Sequence, residues 1–409
     1  MITARDIAAA WPAVQRVIKP TPCPLSEPLS HLFGGPVYLK MENLQVTGSF
    51  KERGALVKLS SLLTEERHRG VITASAGNHA QAVAYHARRL HITATIVMPV
   101  RTPLIKVLST KELGGQVIQH GDGFDDAYEE ALRRAKRDHL VFIPPFDDDL
   151  VITGQGSIGL EILEQVPDVT QVVVPIGGGG LISGIATAMK AARPKLRVVG
   201  VEAAAYPSMQ ASLKSGQVTP TGGAGTLADG IAVKKVSERT LAYVQKYVDK
   251  MVAVEEPTIA RSILLLLERQ KSLAEGAAAA TVAALLEDKV DLNGPTVLVI
   301  SGGNIDISRL DDIIVRGLAA DGRRVRLKVV MPDLPGQLHR LTGIIARLGA
   351  NIIDVFHDRE FGAAGLGKTM PTVTLETRGE EHVAELLTAL AAEGFEAVDR
   401  VAPAARVED

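Results

Sequence analysis

The stretch Thr47-Gly48-Ser49-Phe50-Lys51-Glu52-Arg53-Gly54-Ala55 sets a lysine behind an aromatic side chain and a Gly-Ser turn, where a helix is expected to open. A lysine on a solvated surface keeps its proton and does no chemistry. One that is partly desolvated near a helix N-terminus has its ammonium form disfavoured, and the neutral amine can attack an aldehyde. Taken alone, Lys51 allows both readings.

Three loops add to it. Ser75-Ala76-Gly77-Asn78-His79 follows the apolar run Val71-Ile72-Thr73. Strand, short polar Gly loop and helix together put backbone N–H groups at a helix N-terminus, which suits a carboxylate. A helix cap from Ser75 or Asn78 accounts for the same residues, and the two readings are compatible. Gly177-Gly178-Gly179-Gly180 follows a run ending at Ile176. Four consecutive glycines cost entropy to order, and they make sense where backbone wraps closely around a group such as a phosphate. A tight turn and nothing more is the alternative. No Gly-Lys-Ser/Thr ending follows, which excludes a nucleotide P-loop. Ile182 or Ser183 stands where a dinucleotide fingerprint needs its third glycine. Ser301-Gly302-Gly303-Asn304 lies after the run Thr296 to Ile300. Ligands in open α/β sheets gather at that strand edge, although this loop alone reads as an ordinary Gly turn.

The elements that must hold these loops alternate. Short runs rich in Val and Ile recur between residues 36 and 308, at Val37-Tyr38-Leu39, 70–73, 94–98, 141–143, 171–176, 197–201 and 296–300, with helix-length segments between them. Continuously apolar strands are buried on both faces, so the expected class is α/β with parallel sheets flanked by helices. One large sheet or two lobes would both fit, with a smaller lobe expected at about 45–150. A polar stretch at 319–324 reads as a linker ending a catalytic domain at 1–318. Beyond it the order is strand, helix, two strands, helix, strand over 325–402, the ferredoxin-like plan. A glycine-rich loop is expected at 361–368 and a tail at 403–409.

Composition narrows the classes. The chain has 409 residues, 46% apolar and 22% charged, with a net charge of −2 and a single cysteine, Cys23. Neither the charge nor any basic block suggests a nucleic-acid partner. Without a signal peptide or an apolar stretch of roughly 20 residues, no membrane partner is expected and a cytoplasmic location is.

Together these features resemble the fold type II, tryptophan-synthase-β-like group of enzymes dependent on pyridoxal 5'-phosphate (PLP), and within it the threonine ammonia-lyases, or threonine dehydratases. The resemblance rests on Lys40-Met41-Glu42-Asn43-Leu44-Gln45, on Thr47 to Lys51 with Arg53-Gly54-Ala55, on Ser75 to His79, Gly177 to Gly180, Thr226-Leu227-Ala228-Asp229-Gly230 and Ser301 to Asn304. It covers roughly residues 5 to 318. The C-terminal part, with Asp333-Leu334-Pro335-Gly336-Gln337-Leu338 and Gly349-Ala350-Asn351-Ile352, resembles an ACT domain, a class that binds amino-acid effectors.

The resemblance implies that Lys51 carries PLP as a Schiff base and later removes the Cα proton. It puts Phe50 beside the pyridine ring, Asn78 on the phenolic oxygen, Gly177, Gly178, Gly179 and Gly180 on the phosphate, and Ser301 facing the ring nitrogen. A serine there does not enforce ring protonation, which suits elimination more than transamination. Ser75, Ala76, Gly77, Asn78 and His79 would grip the substrate carboxylate. The implied reaction is loss of water from threonine, giving 2-oxobutanoate and ammonia, or from serine, giving pyruvate. Serine racemases of the group place a serine at the position of Ala76, and a methyl cannot move a proton, so little racemisation is expected. Relatives bind a cation beside a glutamate matching Glu202, with a carboxylate six positions on; Ser208 stands there instead, and no metal is assigned. The ACT-like part is expected to bind isoleucine or valine near Leu334, Gly336 and Asn351, or else to serve as a dimerisation module. A homo-oligomer, dimer or tetramer, is implied. O-acetylserine sulfhydrylase and threonine synthase share the lysine and the glycine loop, but the ACT-like part and the Ser75 to His79 loop disfavour them. A sensor that has lost catalysis has no support while Lys51 and all three loops are intact.

Overall fold

A strand apolar along its whole length must be covered on both faces, and the computed structural model is built that way. It describes residues 1–223, 225–357 and 365–401, without the side chains of 398–401. The chain divides into two units, residues 1–305 and 306–409.

The first unit holds two parallel sheets. In the larger, the strand order is Val37–Met41, Thr296–Ile300, Gln171–Pro175, Arg197–Ala203 and Lys250–Val254. In the smaller it is Gln116–Gln119, Ala94–Met98, Val71–Ala74 and Val141–Phe142. The larger sheet packs Val172, Val174, Val198, Val297 and Val299 against Ile158 and Ile162 of helix Asp149–Gln165 and Ile182 and Ile185 of helix Gly180–Ala192. The smaller sheet is covered on one face by Leu59, Ala80 and Val83, and on the other by Ala127 and Ala131. Two strands, Gln116–Gln119 and Lys250–Val254, go beyond the expected runs. Both are edge strands with part-exposed residues; Gln116–Gln119 has only Val117 and Ile118 between two glutamines, and Lys250–Val254 has the four apolar residues Met251 to Val254.

Helix Lys51–Ser60 is anchored by a buried ring of charges. The Arg53 guanidinium donates to Glu42 through Nε and Nη2, each at 2.8 Å, and to Glu161 at 2.7 and 2.9 Å. Lys40 Nζ meets Glu161 at 2.5 Å and the Thr21 carbonyl at 2.8 Å. Two cations and two carboxylates sum to zero, and the bidentate forks satisfy what burial would otherwise penalise. Burial works against ionisation of Glu42, but Arg53 overcomes it and holds the carboxyl below its usual range.

The second unit opens with helix Ile307–Ala320 and carries an antiparallel sheet in the order Asn351–Phe356, Thr372–Glu376, Arg324–Pro332, Glu396–Val401. Helices Gln337–Arg347 and Glu380–Ala392 bury Leu341, Ile345, Leu386 and Leu390 against Leu327, Val329, Val373 and Leu375. The division at 305/306 lies upstream of the expected 318, because helix Ile307–Ala320 packs on strand Arg324–Pro332 of its own unit. Strand Thr372–Glu376 begins directly after Pro371, which has no N–H for a ladder. Part of the loop at 361–368 and all of the tail at 403–409 lie outside the described residues.

Candidate active site

Within each sheet the parallel strands point the same way, so the loops at their C-terminal ends share one edge of that sheet, and the bonds of Asn78 to Asn304 and Glu275 tie the small-sheet loop to the large-sheet ones. Ser75 to Gly77 follows strand Val71–Ala74, the glycine turn follows Gln171–Pro175, and Ser301 follows Thr296–Ile300. Lys51 opens its helix beyond Val37–Met41 and the short turn Glu42–Leu44.

The Lys51 turn is laced to the Ser301 loop. The Phe50 N–H donates to the Ser301 carbonyl at 3.0 Å, the Gly303 N–H to the Gly48 carbonyl at 2.9 Å, and Asn304 Nδ2 to the Thr47 carbonyl at 2.7 Å. Gly48 has φ +69, and a Cβ there would lie 2.4 Å from Asn304 Oδ1, so glycine is required. Phe50 packs its half-buried ring on the large core, and Lys51 Nζ sits 5.1 Å from that ring's centroid. Nζ donates to the Pro145 carbonyl at 2.7 Å. Desolvation pushes Lys51 down to about 8, with the Glu275 carboxylate opposing it. An amine in that range is part neutral near physiological pH.

The next residue after Pro145 reaches the glycine turn. A Cβ on Gly178 would lie 2.3 Å from the Phe146 ring, one on Gly180 2.9 Å from the Phe146 carbonyl oxygen, and one on Gly177 2.9 Å from Ile231 Cα. Gly179 has φ +92. The turn therefore admits only glycine, and among the described residues no hydrogen bond occupies the N–H groups of Gly177 to Gly180. Those donors at the start of a 13-residue helix form an anion cradle.

In the third loop, Ser75 Oγ accepts the Gly77 N–H at 3.2 Å and helix Asn78–Arg89 starts without a side-chain cap. Ala76 packs its methyl on the small-sheet core. His79 is buried, and its Nε2 meets the Ile143 carbonyl at 3.0 Å. Burial, then the Lys51 charge, pushes His79 down to about 3, so the ring is neutral. The loop can therefore hold a carboxylate with its N–H groups, while the imidazole is already engaged. Asn78 turns the other way. Its Oδ1 accepts from Asn304 Nδ2 at 2.8 Å, and its Nδ2 donates to Glu275 at 2.8 and 3.0 Å.

Lys51, Phe50 and Ser301 are thus joined to the glycine turn through Pro145 and Phe146, and to Asn78 through Asn304 and Glu275. Sequence reasoning did not single out Glu275, Pro145 or Phe146, which stand in no recognisable motif. Glu202 is fully buried, with its carboxylate oxygens taken by the N–H groups of Met209 and Gln210 at 2.7 and 2.9 Å; burial pushes it up to about 7. Ser208 Oγ donates to the Val233 carbonyl at 2.7 Å. In the second unit, Leu334 is 63% exposed, Gly336 has φ +86 before helix Gln337–Arg347, and Asn351 opens an edge strand. No helix among the described residues is long and apolar enough to cross a membrane.

A family model for pyridoxal-phosphate dependent enzymes matches residues 14–303. A Thermotoga maritima protein named L-threonine ammonia-lyase is 51% identical over 397 residues, which is 97% of this chain and 99% of that protein. Among solved structures, the processed form of threonine deaminase isoform 2 from Solanum lycopersicum matches with a TM-score of 0.73 at 41% identity, over 76% of this chain and 86% of that one. Maize serine racemase matches with a TM-score of 0.73 at 31% identity, over 78% and 98%.

Proposed function

The chain belongs to the pyridoxal-phosphate dependent enzymes, and on that premise we propose that Lys51 is the amine that carries PLP in a lyase acting on L-threonine. Its activity is the α,β-elimination of water from L-threonine, followed by hydrolysis to 2-oxobutanoate and ammonia. The same site takes L-serine, which gives pyruvate.

The residues present fit the cofactor. The glycine turn is packed so closely on Phe146, Ile231 and Thr240 that no Cβ fits, its N–H groups have no acceptor among the described residues, and the lysine amine is desolvated enough to react. Gly177, Gly178, Gly179 and Gly180 would hold the phosphate, Asn78 the phenolic oxygen, Ser301 the ring nitrogen, and Phe50 would flank the ring. When bound, PLP supplies an aldehyde carbon that takes up the substrate amine and a conjugated ring that draws electrons from Cα.

The chain's own residues do the rest. The Ser75 N–H is held by the Val97 carbonyl and the Gly77 N–H by Ser75 Oγ, so the N–H groups of Ala76 and Asn78 are the ones that orient the substrate carboxylate, which sets the Cα–H bond in a fixed direction. Lys51 Nζ, as a free amine, would take the Cα proton. Water leaves from Cβ, and a second water enters as ammonia is released. Ala76 offers no proton on the face opposite Lys51, so inversion at Cα is slow and efficient formation of D-serine would refute this assignment. The observation that carries the reading is the desolvated Lys51 amine, joined through Pro145 and Phe146 to the glycine cradle. The test is 2-oxo acid release from a panel of amino acids with Lys51→Ala as control; full activity and colour in that variant would overturn it.

The second unit supports a further assignment: an ACT-like regulatory domain that takes isoleucine or valine near Leu334, Gly336 and Asn351. Its antiparallel sheet with both helices on one face is the motivation. Titrating each amino acid against the rate tests it, and an unchanged rate and unchanged cooperativity with both would reject it.

A further inference from the structure

Three side chains from distant stretches meet behind Lys51, and their polarity is fixed by a single backbone carbonyl. The Thr47 carbonyl can only accept, so the Asn304 atom 2.7 Å from it must be the amide nitrogen. The second hydrogen on that nitrogen goes to Asn78, 2.8 Å away, which makes the Asn78 partner atom the amide oxygen. The Asn78 nitrogen is then forced toward Glu275, which receives it on both carboxylate oxygens at 2.8 and 3.0 Å. Glu275 itself is 4% exposed, and its backbone N–H is pinned to the Gly302 carbonyl at 3.0 Å. A Cβ on Gly302 would lie 2.5 Å from the Glu275 carboxylate, so a glycine in the Ser301 loop is what makes room for that side chain.

We propose that Glu275 is a positioning residue of this site: its buried carboxylate, with Asn304, locks the Asn78 amide in one orientation. The proposal rests on the reading that Lys51 carries PLP. The charged groups around Glu275 are Lys51, Lys106 of helix Leu104–Glu112 and Asp229 of the turn Asp229–Ile231; those facing Lys51 are Glu275 and His79, the latter neutral. Burial, then Asp229, pushes Glu275 up to about 7, and the Asn78 bond, Lys106 and Lys51 pull it back. Glu275 and Lys51 therefore exchange charge near neutrality. Removing the carboxylate withdraws the charge that opposes desolvation at the lysine and leaves its hydrogen bond to the Pro145 carbonyl in place.

Two substitutions separate the roles. Glu275→Gln keeps an oxygen for the Asn78 amide and deletes the charge. Glu275→Ala deletes both. The full-length chain is stripped of PLP, and the pH dependence of reductive methylation at Lys51 is followed by mass spectrometry. In Glu275→Gln the midpoint falls by about one pH unit, while PLP binds within about two-fold of wild type. In Glu275→Ala the midpoint falls likewise and PLP affinity drops about ten-fold, because Asn78 loses its anchor. Asn304→Asp, which offers no donor to Asn78, lowers PLP affinity without touching Glu275. An unchanged midpoint in Glu275→Gln, or wild-type PLP affinity in both Glu275→Ala and Asn304→Asp, overturns the proposal. Borohydride trapping of PLP on a lysine other than Lys51 would instead refute the underlying reading, and the two failures are told apart by which peptide carries the mass.

Discussion

Replacing Gly178 with alanine should weaken cofactor binding far more than replacing Gly77. At Gly178 the new Cβ would meet Cγ and Cδ1 of Phe146 at 2.3 Å. Ordinary carbon contact is about 3.5 Å, so the ring must yield by roughly 1.2 Å. Cγ is the root of the ring, not a free end, so the whole side chain must rotate or the turn must open. Overpacking of this kind costs ~1–3 kcal/mol. If that cost falls on the conformation that holds the phosphate, the PLP dissociation constant rises ~5- to 150-fold. At Gly77 nothing lies within 4 Å of the added methyl. Gly77→Ala should leave stability and PLP affinity unchanged and raise KM for threonine, since the methyl enters space assigned to the substrate carboxylate. Fluorescence titration of the cofactor-stripped chains with PLP measures the first effect and initial rates the second. PLP affinity within two-fold of wild type in Gly178→Ala would refute the cradle. An unchanged KM in Gly77→Ala would refute the carboxylate loop.

Arg53→Met leaves Glu42 and Glu161 buried with Lys40 as their remaining cation, and should destabilise the first unit by ~3–5 kcal/mol in denaturant unfolding; a loss below ~1 kcal/mol would show that the ring of charges is not what anchors the lysine helix. Glu202→Gln tests a pH effect whose sign follows from burial. The folded value of about 7 lies above the ordinary 4.5, so the stability this group contributes is complete below pH ~4.5 and is lost as the pH rises through ~7. That gap corresponds to ~3 kcal/mol. The difference in unfolding free energy between wild type and Glu202→Gln should therefore change by about that amount from pH 4.5 to 8, and parallel curves would refute it.

Much of the site was legible because its signals are local. A lysine after Gly-Ser-Phe, a run of four glycines and a Ser-Gly-Gly-Asn loop each sit next to their own strand, so chain order alone sets them at one edge. Glu275 was not legible. It lies 197 residues from Asn78, and a glutamate before an alanine-rich helix carries no mark of what it faces. Pro145 likewise acts through its carbonyl alone, and Phe146 through its contacts with Gly178 and Gly180. The edge strands Gln116–Gln119 and Lys250–Val254 escaped for a different reason: apolar runs of two and four residues are too short to tell a strand from a piece of buried helix. The unit boundary was read too late because helix Ile307–Ala320 has the amphipathic pattern of any packed helix, and the pattern does not say which core it packs on.

The ring of Lys40, Glu42, Arg53 and Glu161 also bears on how portable this lysine is. Its members come from a strand, the turn after it, the lysine helix and a helix more than a hundred residues on. A graft of the Lys51 turn onto another scaffold would bring Arg53 along and leave the carboxylate of Glu161 behind, stranding a guanidinium in a dry interior. A transplant would have to move all four at once, so the lysine is the property of the whole first unit and not of the short motif by which it is recognised.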